Sequence, residues 1–386
     1  VEVATFEELL TPRGQAVVAA ADELLRTEDE LTAGSRLRRD HQTDLVAAAI
    51  GQVLLRRRAT GKLGADADRL WLTTEALQQA SRRTVADHRA DRLRAAGVRT
   101  VLDLGCGIGA DLLAYARAGL DVTGVDRDPL RAAMAKANLA AMDLPGRVEV
   151  ADAEGYGRSG FDAVYVDPAR RDDRGRVFDP RRQSPGWAFV TGLLDDLGVV
   201  KTAPGIPHRL VPPGVEADFV SEAGDLVEAT LWGRRFATTD RRSTVLPSGD
   251  ALTTADLPAT VPVGEPEVWW YEPDPAVIRA GLVGAVAASV GGHLLDARIA
   301  YVSSGRRVPT PFARAYRMLE EVPYREKRLR AALRERGIGT LAIKKRGVDV
   351  VPERLRPRLG LRGDRDATLI LTRVAGAARA FLVEPE

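Results

Sequence analysis

Over the first 95 residues, Leu, Val and Ala recur every three or four positions with charged residues opposite. That period predicts helices at 16–25, 45–57 and 75–96. Thr73 or Thr74 caps the last of these, and Glu75 in its first turn favours the start. From 98 to about 232 the pattern changes. Short apolar runs at 99–104, 121–126, 147–151, 161–167 and 197–203 read as strands, and stretches of helical spacing fall at 109–118, 128–142 and 186–196. Strand and helix in alternation predict an α/β fold, a parallel sheet doubly wound by right-handed crossovers. The chain then turns strand-like at 225–232 and 242–246, and prolines accumulate between Leu257 and Pro275 in the manner of a linker. A helix is expected at 271–288. The last part reads as a small α/β unit with helices at 324–336 and 353–359 and strands at 339–346, 367–374 and 379–383. The expected division is a helical domain over 1–95, the doubly wound core over 96–265, a linker and helix over 266–320, and a basic α/β domain over 321–386.

Composition narrows the classes. A chain of 386 residues exceeds a single ordinary core. Its charges nearly cancel at +2, so net charge selects no partner, and one cysteine excludes a disulfide framework. His41, His88, His208 and His293 are scattered, and with Cys106 the lone thiol no metal site is expected. Cys106 itself, between glycines, reads as a packing residue. The chain opens without a charged segment followed by an apolar one, so no secretory leader is expected. The most apolar run, 280–302, is interrupted by Gly284, Gly291, Gly292, His293, Asp296 and Arg298 and makes a poor membrane span. A cytoplasmic protein without a membrane partner is expected. Charge is uneven, however: between Glu321 and Arg365 basic residues outnumber acidic ones roughly two to one. Such an excess suits a polyanion, with Arg328, Lys344, Lys345 and Arg346 as candidate nucleic-acid contacts.

The stretch VLDLGCGIGADLLAYARAGLDVTGVDRD, Val101 to Asp128, carries the clearest chemistry. A strand ends in Asp103, breaks into Gly105, Gly107 and Gly109, and continues as a helix; the next strand ends in Asp126. Glycines so spaced let the backbone turn sharply and approach a ligand, and the second acid is placed to meet ribose hydroxyls. Gly105, Gly107 and Ala110 also satisfy a relaxed dinucleotide fingerprint. Four features favour S-adenosyl-L-methionine instead. Asp103 would repel a pyrophosphate and attract an ammonium. Gly109 completes an alternate-residue set suited to a nucleoside lacking phosphates. Asp152, in VEVADAEGY, is placed to accept from an adenine amino group. FDAVYVDPAR ends in Asp167 and Pro168 at the carboxyl edge of the sheet, where ligands of open α/β folds bind.

LDLGCGIG, GVDRD, the Asp152 segment and VDPAR, within about 96–205, resemble the successive motifs of class I S-adenosylmethionine-dependent methyltransferases. Thr74 and Glu75 followed by VADHRADRL are similar to the arrangement in trimethylguanosine-synthase-like RNA methyltransferases. LAIKKRGVDV and LRGDRDATLILTRV resemble the THUMP-like domain of a bacterial group of methyltransferases, a label drawn by analogy with an RNA-binding domain. The resemblance implies a Rossmann-like, doubly wound class I methyltransferase core with an N-terminal helical domain and a small C-terminal α/β (THUMP-like) domain. It implies that Asp103, Gly105, Gly107 and Gly109 hold the methionine part, Asp126 the ribose and Asp152 the adenine. The helix that starts at Thr74 reads as a packing helix, with the alternative that its start closes over the cofactor, which makes Thr74 a cofactor-binding candidate.

Relatives that methylate exocyclic base nitrogens carry Asn, Asp or Ser, then Pro-Pro and an aromatic, after the fourth strand. Asp167, Pro168, Ala169 and Arg170 stand there in this chain. Asp167 is expected to orient the attacking nitrogen and accept its proton, with Pro168 beside it and the Arg170 guanidinium stacking on a base or binding phosphate. The expected activity is methyl transfer to a nitrogen of an RNA base, in tRNA or rRNA. The departure at Ala169 and Arg170 keeps two alternatives open: a non-catalytic RNA-binding or assembly factor, and a methyltransferase for a small molecule or protein. The RNA species, the target atom and the oligomeric state stay open as well.

Overall fold

The first 63 residues form four helices, α1 (Val3–Leu10), α2 (Pro12–Leu24), α3 (Glu30–Leu37) and α4 (Thr43–Leu63). Thr11 caps α2 by accepting from Gly14 N at 3.2 Å, and Asp29 caps α3 by accepting from Thr32 N at 2.8 Å. Their apolar faces close around Phe6, Val17, Ala21, Val46, Ala49 and Val53, all buried. The computed structural model describes residues 2–168, 171–172, 175–176 and 184–386.

The helix expected over 75–96 is two helices, α5 (Thr74–Gln79) and α6 (Arg83–Ala95). Ala80 ends α5 in an extended conformation, with no proline or glycine at the break. The cause is tertiary and lies in the site described below.

The parallel sheet follows the expected alternation. Strands β1 (Thr100–Leu104), β2 (Asp121–Asp126), β3 (Arg147–Val150), β4 (Ala163–Val166) and β7 (Gly198–Thr202) alternate with α7 (Ala110–Arg117), α8 (Pro129–Ala141) and α9 (Trp187–Leu194). A two-residue ladder pairs β5 (Arg171–Asp172) with β6 (Gly175–Arg176). Side by side the parallel strands run β7-β4-β1-β2-β3. Chain order therefore reverses between β1 and β4. A crevice opens outside the carboxyl ends of the strands at such a reversal. Val101, Leu102, Leu104, Val164 and Val166 are fully buried, as both faces of a helix-covered parallel sheet require.

The chain divides into two compact units, one holding the residues up to Glu216 with Thr230–Ala237, the other Ala217–Ala229 with Thr238–Glu386. The second unit differs from expectation. After β8 (Glu216–Glu222), β9 (Asp225–Trp232), β10 (Arg241–Leu246) and β11 (Asp250–Thr253), the stretch 266–320, read as linker and helix, carries β12 (Trp269–Pro273), α10 (Pro275–Ala280), α11 (Val283–Ser289), β13 (His293–Asp296), β14 (Ile299–Ser304) and most of β15 (Ala313–Val322). These strands join β16 (Ile338–Lys345), β17 (Arg365–Val374) and β18 (Ala377–Pro385) in a seven-stranded sheet of order β13-β14-β12-β15-β18-β17-β16. Helices α12 (Glu326–Glu335) and α13 (Pro352–Leu359) accompany it. Buried polar residues hid the alternation. Ser303 Oγ accepts from Glu267 N at 2.8 Å and Ser304 Oγ donates to Val290 O at 3.1 Å, so both serines sit inside the fold. β8 (Glu216–Glu222) was hidden likewise by buried Glu216, Asp218 and Ser221. No helix among the described residues is long and apolar enough to cross a membrane.

Candidate active site

A cavity of about 340 Å³ opens in the first unit at the carboxyl ends of β1, β2 and β4. Asp103, Gly105, Gly107, Asp126, Asp152 and Asp167 all line it, so residues spread over 65 positions converge on one space.

The end of β2 clamps the glycine turn. Gly105 N and Cys106 N both donate to Val125 O, at 2.7 and 3.0 Å, and Gly107 N donates to Asp126 Oδ2 at 2.9 Å. The other Asp126 oxygen accepts from Asp128 N at 2.9 Å. Gly107 has φ +58° and open space where a Cβ would stand, so it borders the cavity in a conformation that side chains resist. Gly109 does something else. It is the left-handed residue before α7, and a Cβ on it would lie 3.2 Å from the Ala135 Cβ of α8. It fits α7 to α8 and is not on the cavity wall. Cys106 is buried, and burial, with Asp103 and Asp126 beside it, pushes its thiol well up. That is a packing thiol, not a nucleophile.

Asp103 is the unusual carboxyl. It is 1% exposed, and its Oδ2 has no hydrogen-bond partner. Burial, and then the nearby Asp111 and Asp167, raise it well above the ordinary carboxylate range. Asp111, in the first turn of α7, faces the same burial but is compensated: it accepts from Arg89 at 2.5 Å and from Ser81 Oγ at 3.1 Å. Burial works to raise it, and Arg89 with Lys201 outweighs burial and holds it below its usual value. Arg89 also lies over the Tyr165 ring at 4.7 Å.

Asp167 meets a cation that sequence reasoning did not find. The Lys201 ammonium, 4% exposed one residue before the end of β7, is 2.7 Å from Asp167 Oδ2 and 2.9 Å from Gln79 O. Lys62, at the end of α4, donates to Leu77 O and Gln78 O at 2.8 and 3.1 Å. Burial, then Lys201 and Arg82, push Lys62 down to about 8. The last three carbonyls of α5 are thus held by two ammonium groups, a favourable arrangement at a helix C-terminus. Ser81 and Lys201 together explain why the helix breaks at 80–82. The break brings Ala76, Gln79 and Ala80 to the cavity wall.

Several expected residues stand elsewhere. Thr74 is exposed and absent from the wall; the far end of its helix is there instead. Pro168 is buried and also off the wall. Arg170 and Ala169 lie outside the described residues. Asp152 is exposed at the wall and accepts from Glu154 N at 3.0 Å. In the second unit, Lys344 is 2.6 Å from Glu272 and Arg346 is 3.8 Å from the same carboxylate. Those two charges are spent inside the unit. Lys345 and Arg328 are exposed. Lys201 had a legible signal, a lone charge inside the apolar run GVVKT; Arg89, Ser81 and Lys62 had none.

The cavity can take a ligand that is cationic at one end. Asp103 Oδ2 is an acceptor that lacks a donor, as an amino acid's ammonium would supply, and the open backbone at Gly105 and Gly107 leaves room beside it. S-adenosylmethionine fits this donor set. Among the described residues no cluster of His, Cys, Asp and Glu could hold a metal ion.

Comparison with known proteins agrees with the geometry. The family described as a methyltransferase domain matches residues 101–177, the THUMP domain-like family matches 313–385, and a domain of unknown function matches 2–59. A protein of Mycobacterium tuberculosis (strain CDC 1551 / Oshkosh), named as an uncharacterised S-adenosylmethionine-dependent methyltransferase, is 40% identical over 341 residues, 84% of this chain and 92% of that protein. Its counterpart in strain ATCC 25618 / H37Rv matches equally. A crystal structure of a candidate methyltransferase from Porphyromonas gingivalis W83 superposes with a TM-score of 0.77 at 20% identity, covering 96% of this chain and 98% of that one.

Proposed function

The chain belongs to the S-adenosylmethionine-dependent methyltransferases, and on that premise we propose that it methylates a nitrogen of an RNA base. S-adenosylmethionine, when bound, supplies a methyl group already activated on a sulfonium. The protein's own task is to bind, orient and exclude water, and positioning alone is worth several kcal/mol, up to roughly 7–11, in well-oriented reactions. In this reading Asp103 takes the methionine ammonium, Gly105 and Gly107 offer their open backbone to the donor, Asp126 holds the ribose and Asp152 the adenine amino group. Thr74 and Gly109 act at one remove, as the start of α5 and as the seat of α7.

The observation that carries the acceptor side is the Asp167 carboxylate on the wall shared with Asp103. Among the described residues its only hydrogen bond is through Oδ2 to Lys201, which leaves Oδ1 for an N–H of an acceptor. A carboxylate there aims an amine lone pair at the donor and accepts the proton that the new N–C bond releases. The acceptor class is supported by the THUMP domain-like match and by free cationic side chains in the second unit. Arg325 and Arg354 rim a cleft of about 390 Å³ between α12 and α13, with Tyr324 on its wall, and their side chains make no hydrogen bond or ion pair among the described residues. Guanidinium and phenol groups over an apolar floor suit a single-stranded nucleic acid. This cleft, with exposed Arg328 and Lys345, replaces Lys344 and Arg346 as the RNA-facing surface.

Nucleoside mass spectrometry of RNA from strains with and without the protein tests the reading. One methylated nucleoside missing from the deletion strain is the expected result; identical profiles would overturn it.

A further inference from the structure

The ammonium of Lys201 joins two things that the transfer needs fixed at once. It is buried to 4% exposure, yet it does not line the cavity. One contact, at 2.9 Å, is the last carbonyl of α5, whose residues Ala76 and Gln79 form the cavity wall. A second, at 2.7 Å, is Asp167 Oδ2. Charge-assisted hydrogen bonds of this length are the strong ones, and a dry setting strengthens them further. Asp167 sits just after β4, while its oxygen is held from β7, the neighbouring parallel strand. The carboxylate is therefore aimed from outside its own turn.

We propose that Lys201 is a positioning residue for methyl transfer, setting the aim of Asp167 and the place of the α5 wall through one buried charge. The inference rests on the reading of Asp167 as the acceptor-side carboxylate. Two other carboxylates, Asp103 and Asp111, stand close enough to act on the same charges. Without the ammonium, the Asp167 carboxylate would lose its charge partner and be free to swing from the acceptor. Arg at 201 keeps the charge but not the compact reach of an ammonium to two acceptors, so it restores only part of the effect.

The test compares Lys201→Gln, Lys201→Arg, Asp167→Asn and the double variant Lys201→Gln with Asp167→Asn. Methyl transfer from S-adenosylmethionine to RNA isolated from a strain lacking the protein gives kcat and KM; calorimetry gives affinity for S-adenosylhomocysteine. Lys201→Gln is expected to lower kcat about 100-fold with donor KM changed less than about threefold, as for a group acting in the transition state. Lys201→Arg should recover about tenfold of that loss, and Lys201→Gln should add less than about twofold on the Asp167→Asn background. A kcat within twofold of wild type, or losses that multiply in the double variant, would overturn the proposal. Amide hydrogen exchange at 76–82 is read in parallel and needs no acceptor. Exchange there at least about tenfold faster in Lys201→Gln and Lys201→Arg, with the parallel sheet unchanged, supports the α5 part; unchanged exchange overturns it. If wild-type protein transfers no methyl to that RNA, the acceptor assignment fails, while the exchange result still decides whether Lys201 holds the wall.

Discussion

Two lysine–carboxylate pairs of nearly equal length have opposite meanings. Lys201 and Asp167 meet at 2.7 Å with side chains 4% and 22% exposed; Lys344 and Glu272 meet at 2.6 Å with side chains 34% and 20% exposed. The first sits beside a ligand cavity, and its ammonium is cut off from water. Breaking such a pair strands a charge. The second borders solvent, where water replaces whatever is lost, and it draws Lys344 and Arg346 onto one glutamate. Distance alone would rank the pairs together. Burial separates a positioning device from a surface contact.

That difference predicts the largest effect on stability. Lys201→Met should cost about 3–5 kcal/mol, the loss typical of one partner of a buried pair, whereas Lys344→Met should cost under about 1 kcal/mol. Urea midpoints measured on both variants check this. Equal losses would mean that burial is not what distinguishes them.

Asp103 sharpens the contrast from the other direction, being a buried carboxyl with an oxygen that no partner meets. Asp103→Asn should weaken S-adenosylhomocysteine binding about 100-fold, or about 2.7 kcal/mol, since the ammonium loses its counter-charge. The same change should leave the ligand-free protein as stable or more so, because a desolvated carboxyl has been removed. Calorimetry and thermal melts read the two effects separately. A variant that lost stability and kept affinity would move Asp103 from the pocket to the frame.

The sign of the pH dependence follows. Burial raises Asp103 above its ordinary value of 3.8, so in the free protein the group stays protonated further up the pH scale. An ammonium ligand needs the ionised form. Affinity should therefore climb by up to about tenfold per pH unit below the raised value and flatten above it, with a proton released on binding in the climbing range. Calorimetry in buffers of different ionisation enthalpy detects that proton. Folding stability of the free protein runs the opposite way. This carboxyl's contribution is whole below 3.8 and is lost as pH rises through the folded value. Affinity that fell with rising pH would contradict the assignment of Asp103 to a cation.

The smallest effects belong to the second unit. Arg325→Glu and Arg354→Glu should weaken RNA binding and reduce its salt slope by about one each, leaving S-adenosylhomocysteine affinity unchanged. Neutralising Lys344 should do neither. If Lys344 moved the slope and Arg354 did not, the RNA-facing surface would return to the end of β16.

What the sequence made legible follows the same division. The glycine turn, Asp103, Asp126, Asp152 and Asp167 are local punctuation at strand ends, and a parallel sheet places strand ends together. Their meeting in one cavity could be read from order alone. Lys201, Ser81 and Arg89 could not, because their partners lie 22 to 122 positions away along the chain. The break at 80–82 shows the cost of that blindness: an uninterrupted helical period gives way to a buried hydroxyl and a distant lysine. In 266–320, prolines suggested a linker, while buried serines concealed the strands that their hydrogen bonds hold in place.

The most direct measurement incubates the protein with S-adenosylmethionine carrying a labelled methyl group and RNA from a strain that lacks the protein. Label is expected in that RNA, with little in RNA from the parent strain and none with Asp167→Asn. Absence of label from both RNAs, with the donor bound as calorimetry would show, would contradict the claim that this pocket serves an RNA acceptor.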